Sequence, residues 1–162
     1  MDRRYVDADV FLGLFNQETD KVDAARAMLE DAIAQDFELV TSALTLAEVI
    51  HPKDLPRLSR EGREQIRAFF AEPPEPVVIV ALDRFIAEKA QELLWSIEKL
   101  AYKDAIHVAT AVELGVTVFY TFDGGLLDLN GMIGDPPLRI AQPGAGGQMA
   151  LGVRLPSGER AG

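Results

Sequence analysis

The sequence contains no cysteine and, among its 162 residues, only two histidines, His51 and His107. Without cysteine, the chain has neither disulfides nor thiolate metal sites. With so few histidines, a histidine-rich zinc site is a poor interpretation. Apolar runs also stay well short of the roughly 20 residues that a membrane-spanning helix requires, so we expect no membrane partner.

Basic residues are scarce as well, since 16 Lys and Arg stand against 26 Asp and Glu and the formal net charge is −10. Strong nonspecific binding of nucleic acid depends on Lys and Arg that neutralise phosphates, so this balance alone argues against it. It does not exclude a nuclease, because a metal cluster needs acids and divalent cations add positive charge at the site. The acidic excess also suits a basic protein partner.

The N-terminus, Met1 to Arg4, leads directly into a strand-like segment. It has neither the apolar core nor the cleavage site of a signal peptide, so we expect a cytoplasmic protein. The length fits one domain, which we place at residues 1–141. Residues 142–162 are rich in glycine and proline and are expected to form a flexible tail.

Strand-like apolar segments alternate with helical patterns along this domain. Strands are expected at residues 4–8, 37–41, 77–82, 116–121 and 138–141. Helices are expected at residues 10–15, 18–35, 42–50, 58–70, 83–97 and 102–114. The continuous apolar run at 77–82 is typical of a parallel strand covered on both faces. The alternation predicts an α/β protein with three layers, α/β/α, around a central and mostly parallel sheet, with sites at the carboxyl ends of its strands.

Acidic residues occur inside or at the ends of apolar segments, where a carboxylate is costly. The four that stand out are Asp7, Glu48, Asp104 and Asp123. A carboxylate in apolar surroundings costs several kcal/mol unless it is paired or binds a metal. A shared cation would explain all of them, and ligation by oxygen alone indicates Mg²⁺ or Mn²⁺.

Each acid also has a purely structural explanation. Asp7 can cap the helix that follows it, although Asp9 is the better-placed cap. Glu48 ends a segment that fits a capping box. Asp104 suits the positive end of a helix dipole, and Asp123 precedes two glycines, as an ordinary turn residue does. The interpretation as a metal site therefore depends on the whole set and its order along the chain.

That order resembles the PIN-domain family of metal-dependent ribonucleases, in particular the compact VapC-like toxins of bacteria and archaea. The matching segments are Val6–Leu12, Ser42–Val49, Lys103–Ala111 and Tyr120–Asp123. The resemblance covers about residues 4–141, and it implies a PIN-like nuclease domain. It assigns the catalytic and metal-binding roles to the family's acids in order, which are Asp7, Glu48, Asp104 and Asp123. It also implies an RNA substrate, a cognate antitoxin and a homodimer.

Two residues beside these acids are further candidates. The family often has Thr or Ser after its first Asp and then Asn or Ser, whereas this chain has Ala8 and Asp9, so Asp9 is a possible fifth acid of the site. His107 follows Asp104 by three residues and is either a ligand or general base, or a half-buried structural histidine, which is the more common case.

Arginines recur at helical spacing along one predicted helix face. They are Arg57, Arg60, Arg63 and Arg67. Such a stripe can follow an RNA backbone. It can equally be a solvated face, and the latter is favoured because Arg57–Glu61 and Arg60–Glu64 form i,i+4 pairs of opposite charge.

The leading hypothesis is therefore a metal-dependent endoribonuclease that acts as the toxin of a type II toxin–antitoxin pair. One alternative is an aspartate phosphotransferase, because Asp7-Ala8-Asp9 resembles the D-x-D segment of haloacid-dehalogenase-like phosphatases. The remaining roles in such an enzyme would fall on Thr41 or Ser42, Lys99 or Lys103, and Asp123 with Asp128. This assignment leaves Glu48 and Asp104 unexplained. A second alternative is a catalytically inactive binding module on a nuclease fold.

Overall fold

Five parallel strands form the centre of the computed structural model, which describes residues 2–50 and 59–144. They are β1 (Asp2–Val6), β2 (Phe37–Ser42), β3 (Val77–Val80), β4 (Val118–Tyr120) and β5 (Arg139–Ala141). The helices are α1 (Ala8–Phe15), α2 (Val22–Gln35), α3 (Leu44–Glu48), α4 (Arg60–Ala71), α5 (Arg84–Ser96), α6 (Tyr102–Glu113) and α7 (Gly124–Leu127). Across the described ranges, no helix combines the length and apolar character needed to cross a bilayer. Most of the predicted tail, together with His51 and Arg57, lies outside the described residues.

The two faces of the sheet bury two separate hydrophobic cores, as a three-layer α/β/α protein requires. Successive strand residues point to opposite faces, so Tyr5 and Val6 of β1 enter different cores. Tyr5 packs in the core that α5 and α6 cover, whereas Val6 packs in the core beneath α1, α2 and α4. The predicted fold class is confirmed.

Aromatic side chains fix the position of α1 on its face of the sheet. Phe11 and Phe15 of α1 contact Phe69 and Phe70 of α4, with ring centroids 5.2 to 6.0 Å apart. These separations lie in the range in which aromatic pairs attract beyond simple area burial. The start of α1, directly after β1, is therefore held firmly against the sheet.

The strand order β3-β2-β1-β4-β5 reverses direction at β1, and this reversal locates the site. β2 pairs with one side of β1, and β3 pairs with β2. β4 pairs with the other side of β1. Open sheets of this kind bind ligands outside the carboxyl ends of the two strands at the reversal. Asp7 follows β1 and Asp123 follows β4 by three residues, so both acids lie at this crevice.

Helix capping corrects one prediction. Asp7, not Asp9, is the N-cap of α1, because its side chain accepts a hydrogen bond from the backbone N–H of Ala8 at 2.7 Å. Asp9 lies in the first turn of α1 and bonds to the segment after β4 instead. The C-terminus of α6 agrees with its prediction, since Gly115 follows with φ +60°, a conformation that favours glycine.

The apolar run at residues 77–82 was predicted to be a strand covered on both faces, and this prediction is wrong. β3 is an edge strand, and Val78 is 38% exposed. Local apolar character cannot distinguish an edge strand from a central one, because the difference depends on which strands pair. The short helix α7 was not predicted, since its four residues are too few to show a helical period.

We expect Phe119→Ala to destabilise the protein by about 3–5 kcal/mol, because it removes a buried aromatic side chain from the middle of β4. Phe119 is 0% exposed and stacks on Tyr5 at a centroid distance of 4.8 Å. Met132→Ala is the control on an exposed apolar side chain, because Met132 is 73% exposed and should cost less than about 0.5 kcal/mol. Urea unfolding of the three proteins measures both values, and equal losses would contradict the packing described.

Candidate active site

Asp7 is a buried carboxylate at the carboxyl end of β1, with 5% of its surface exposed. Its Oδ1 accepts a hydrogen bond from Ala8 N at 2.7 Å, and its Oδ2 accepts one from the Thr121 hydroxyl at 2.9 Å. Burial raises the pKa of Asp7, while the charge of His107 and these two hydrogen bonds act in the opposite direction. Both carboxylate oxygens are thus fixed, but these contacts do not fully offset the effect of burial on the pKa of Asp7.

The hydroxyl of Thr121 joins three acids at this edge, although the sequence analysis did not single it out. Thr121 is fully buried, and its Oγ1 lies 2.9 Å from Asp7 Oδ2 and 3.3 Å from Asp9 Oδ2. The same oxygen accepts a hydrogen bond from the backbone N–H of Asp123 at 3.0 Å. The sequence did contain a signal for this role, because Thr121 directly follows a buried strand and precedes Asp123 by two residues.

Asp9 extends the acidic group on the side of β4. Its Oδ2 accepts a hydrogen bond from Phe122 N at 2.9 Å, whereas its Oδ1 is buried without a hydrogen-bond partner in the described part of the chain. Burial and the charge of Asp7 raise the pKa of Asp9 to about 7. A carboxylate oxygen without a hydrogen-bond partner in this position is available as a ligand for a cation.

Glu48, at the end of α3, contacts the side chains of His107 and Lys103. Its Oε2 lies 2.5 Å from Nε2 of His107, and its Oε1 lies 3.4 Å from Nζ of Lys103. Burial acts to raise the pKa of Glu48, but the hydrogen bond and charge of His107 and the charge of Lys103 outweigh it and lower the pKa. The capping-box alternative is absent, because the N-cap of α3 is Ala43 and no side chain caps it.

His107 is fully buried rather than half-buried, with 1% of its side chain exposed. Its Nδ1 lies 2.7 Å from the Tyr5 hydroxyl, and its Nε2 faces Glu48 and lies 3.6 Å from Asp7 Oδ1. Burial acts to lower the pKa of His107, yet the hydrogen bond to Glu48 and the charges of Asp7, Glu48 and Asp104 outweigh it and raise the pKa. The burial is tolerated because both ring nitrogens have partners.

Asp104 lies in the first turn of a helix, as its structural explanation expected, whereas Asp123 caps a short helix instead of forming an ordinary turn. Both also contribute to the acidic field. Asp104 is half-buried in the first turn of α6, and burial together with the charges of Asp7 and Asp123 raises its pKa to about 6. Asp123 is the exposed N-cap of α7, and its Oδ1 accepts a hydrogen bond from Leu126 N at 3.0 Å. The capping role therefore does not remove Asp123 from the acidic group.

The donor chemistry of this group fits a hard divalent cation. Its ligand atoms are carboxylate oxygens, and one of them, Asp9 Oδ1, has no hydrogen-bond partner among the described residues. Burial and like charges raise the pKa values of Asp9 and Asp104, and a bound cation would act in the opposite direction. Within residues 2–50 and 59–144, however, no group of three or more His, Asp or Glu has the spacing to hold an ion. Glu48 instead faces His107 and Lys103. The assignment of metal ligands therefore stays a prediction.

The arginine stripe on α4 does not join this group through any contact among the described residues. Arg60 pairs with Glu64 at 2.8 Å, and both side chains are largely exposed. This pairing agrees with the solvated face favoured by the sequence.

Known proteins resemble this chain in sequence and in fold. A model of the PIN domain family matches residues 4–131. Ribonuclease VapC13 of Mycobacterium tuberculosis and a VapC ribonuclease of Mycobacterium bovis are each 31% identical to this chain over 106 residues, which is 65% of this chain and 77% of each relative.

Solved structures share the fold. A toxin–antitoxin complex from Klebsiella pneumoniae matches with a TM-score of 0.61 at 21% identity, covering 86% of this chain and 97% of that one. VapC20 of Mycobacterium tuberculosis, described as a toxin that cleaves the sarcin–ricin loop, matches with a TM-score of 0.59 at 19% identity, covering 75% and 90%.

We expect Asp104→Asn to stabilise the metal-free protein at neutral pH. Folding raises the pKa of Asp104 from 3.8 to about 6, so the folded state binds this proton more tightly than the unfolded chain does. The stability that this group contributes is complete below its unfolded pKa and is lost as the pH rises through about 6. The advantage of the variant should therefore be greatest near pH 7 and should vanish near pH 4.

Thermal unfolding with a chelator across that pH range measures the effect, at roughly 2–4 °C for each kcal/mol gained. Asp23→Asn makes the same charge change on a side chain that is 87% exposed and should show no such rise. A lower melting temperature for Asp104→Asn at pH 7 would contradict the assignment of charge repulsion at this site.

Proposed function

The chain belongs to the PIN domain family, and we propose that it is a metal-dependent endoribonuclease, the toxin of a type II toxin–antitoxin pair. The observation that carries this proposal is the group of partly desolvated acids at the strand reversal, where burial and the charges of Asp7 and Asp123 raise the pKa of Asp104. The proposal also draws on the relatives at 31% identity, which are ribonucleases by name.

In this proposal the acids bind one or more Mg²⁺ or Mn²⁺ ions. Asp7 and Asp104 are the main ligands, and Asp123 and Glu48 complete the site directly or through water. When bound, the metal lowers the pKa of a water molecule, orients it toward an RNA phosphodiester and stabilises the charge that develops there.

The protein's own residues prepare the site for this chemistry. The Thr121 hydroxyl and Ala8 N hold both oxygens of Asp7, so the carboxylate does not need to be ordered when the ion binds. Burial of Asp7 keeps bulk water from screening its charge. Lys103, whose side chain is 45% exposed, provides a cation beside Glu48 at the opening of the site.

A chain with a net charge of −10 needs local positive charge to approach RNA. A divalent ion at the acids and Lys103 beside them provide that charge at the reacting phosphate. We place this activity in the cytoplasm, where RNA substrates are present.

The phosphotransferase alternative finds less support in the geometry. Thr41 is fully buried, and its hydroxyl donates to the Val6 carbonyl at 2.8 Å and lies 2.7 Å from Thr45 Oγ1. It is therefore occupied in fastening β2 to β1 rather than available to a phosphate. An inactive binding module would have no reason to keep several carboxylates desolvated together, since each costs free energy.

We further propose a homodimer and an inhibitory antitoxin. Phe85 and Trp95 of α5 are 72% and 76% exposed, which supports an apolar helix face as the contact between copies. The acidic group suits a basic antitoxin segment, whose Arg or Lys would neutralise the carboxylates in place of metal. A solved structure with this fold is a toxin–antitoxin complex.

Asp7→Asn and Asp104→Asn should each reduce RNA cleavage in Mg²⁺ or Mn²⁺ by more than ~100-fold, the upper end of the loss expected for partners of a metal ligand. The isosteric amide cannot supply the negative charge that the ion requires. Cleavage of a labelled RNA, followed by gel electrophoresis, measures the loss, with circular dichroism to verify folding. Asp23→Asn should cleave as the wild type does, and full activity in Asp7→Asn or Asp104→Asn would disprove the assignment.

Inhibition by the antitoxin should compete with metal. Co-expression with the protein encoded immediately upstream should yield a complex that cleaves RNA poorly, and added Mn²⁺ or high salt should restore cleavage. Light scattering of the free protein should give twice the chain mass of 17.7 kDa. A monomer that the upstream protein neither binds nor inhibits would contradict both parts.

A further inference from the structure

A series of three linked hydrogen bonds leads from the middle of the sheet to Glu48. The backbone N–H of Ser42 donates to the Tyr5 hydroxyl oxygen at 2.9 Å, and that hydroxyl lies 2.7 Å from Nδ1 of His107. Nε2 of the same ring lies 2.5 Å from Glu48 Oε2. Tyr5 is itself held by stacking on Phe119. The series therefore joins β1, β2, α6 and α3, and it ends on a predicted metal ligand.

The direction of the last hydrogen bond follows from the groups involved. An ionised glutamate can only accept, so the proton between the two side chains belongs to Nε2 of His107. When the ring is neutral, the Tyr5 hydroxyl donates to Nδ1, and when the ring is charged, Nδ1 donates to the Tyr5 oxygen. Nε2 donates to Glu48 in both cases, so the arrangement does not depend on the charge of the ring.

His107 has no means of contacting a substrate directly. Its side chain is 1% exposed, and both ring nitrogens have protein partners. Nε2 also lies 3.6 Å from Asp7 Oδ1, so its N–H stands between two acids from different elements. A group so placed orients carboxylates and does not itself react.

Resting on the proposed nuclease function, we infer that His107, supported by Tyr5, is a positioning residue that sets the orientation of Glu48 for metal binding. Glu48 lies at the end of the five-residue helix α3, which gives its side chain little support of its own. Hydrogen-bonded partners of metal ligands fix the ligand's orientation, and their loss typically costs 10–100-fold in metal affinity or activity.

The test measures Mn²⁺ affinity by calorimetry and RNA cleavage in the full chain. We expect His107→Leu, which has no donor, to weaken Mn²⁺ binding by roughly 10–100-fold. His107→Gln, whose amide can still donate to Glu48, should recover much of this loss. Tyr5→Phe keeps the stacked ring and removes only the hydroxyl, so it should weaken binding in the same direction by a smaller factor.

A double-mutant comparison distinguishes positioning from general damage to the fold. In a Glu48→Gln background, His107→Leu should cause little further loss of Mn²⁺ affinity, because its effect passes through Glu48. Val108→Ala is the matched control, because Val108 is a fully buried residue next to His107 and faces the core. It should lower the melting temperature while leaving Mn²⁺ affinity unchanged.

The outcomes separate this inference from the proposed function. Wild-type protein that neither binds Mn²⁺ nor cleaves RNA would overturn both. Wild-type protein that does both, with a folded His107→Leu that binds Mn²⁺ equally well, would overturn the positioning role alone. If His107→Leu does not fold, Tyr5→Phe decides, and unchanged Mn²⁺ affinity there would overturn the role. A His107→Gln variant as impaired as His107→Leu would also overturn it, since a retained donor should then have helped.

Discussion

The structure depends on keeping the carboxylate of Asp7 buried at the carboxyl end of a central parallel strand. Burial raises the pKa values of Asp7, Asp9 and Asp104, and the charge of Asp7 raises those of Asp9 and Asp104 further. Hydrogen bonds from Thr121 and Ala8 and the proximity of His107 offset part of this cost. The site therefore destabilises the fold, because it has more negative charge than its own residues neutralise.

This arrangement follows from the sheet. Reversal of the strand order at β1 leaves a crevice between the ends of β1 and β4, and the two strands deliver Asp7 and the Thr121–Asp123 segment to it. Hydrophobic cores cover β1 and β4 on both faces, and the crevice lies at the carboxyl ends of these two strands. α6 then brings Asp104 and His107 to the same edge, because its first turns lie beside α3, where Lys103 and His107 contact Glu48.

Much of the fold could be predicted from local patterns. Apolar runs separated by helical periods gave the order of elements, and acids directly after strands indicated the edge at which a site would form. The edge position of β3 could not be predicted, because strand pairing is a property of the whole sheet. Asp7 was considered as a helix cap but ranked below Asp9, and the structure reverses that order, because residue type alone does not distinguish two nearby aspartates.

The polar contacts of the site were the least predictable part. Tyr5 and His107 are 102 residues apart in the chain, and His107 and Glu48 are 59 apart, so no spacing rule connects them. A lone histidine near an acid is more often structural, and the sequence does not reveal that His107 is fully buried between Tyr5 and Glu48. The same holds for Thr121, whose contacts with Asp7 and Asp9 span more than 100 residues.

We propose above all that these acids form a divalent metal site. A crystal structure of the protein grown with Mn²⁺, with anomalous diffraction collected to locate the metal, is the decisive experiment. We expect an anomalous peak at the carboxyl end of the sheet, within about 2.0–2.6 Å of oxygens from Asp7 and Asp104. A well-ordered site without such a peak at saturating Mn²⁺, or a peak bound only by acids elsewhere on the surface, would contradict it.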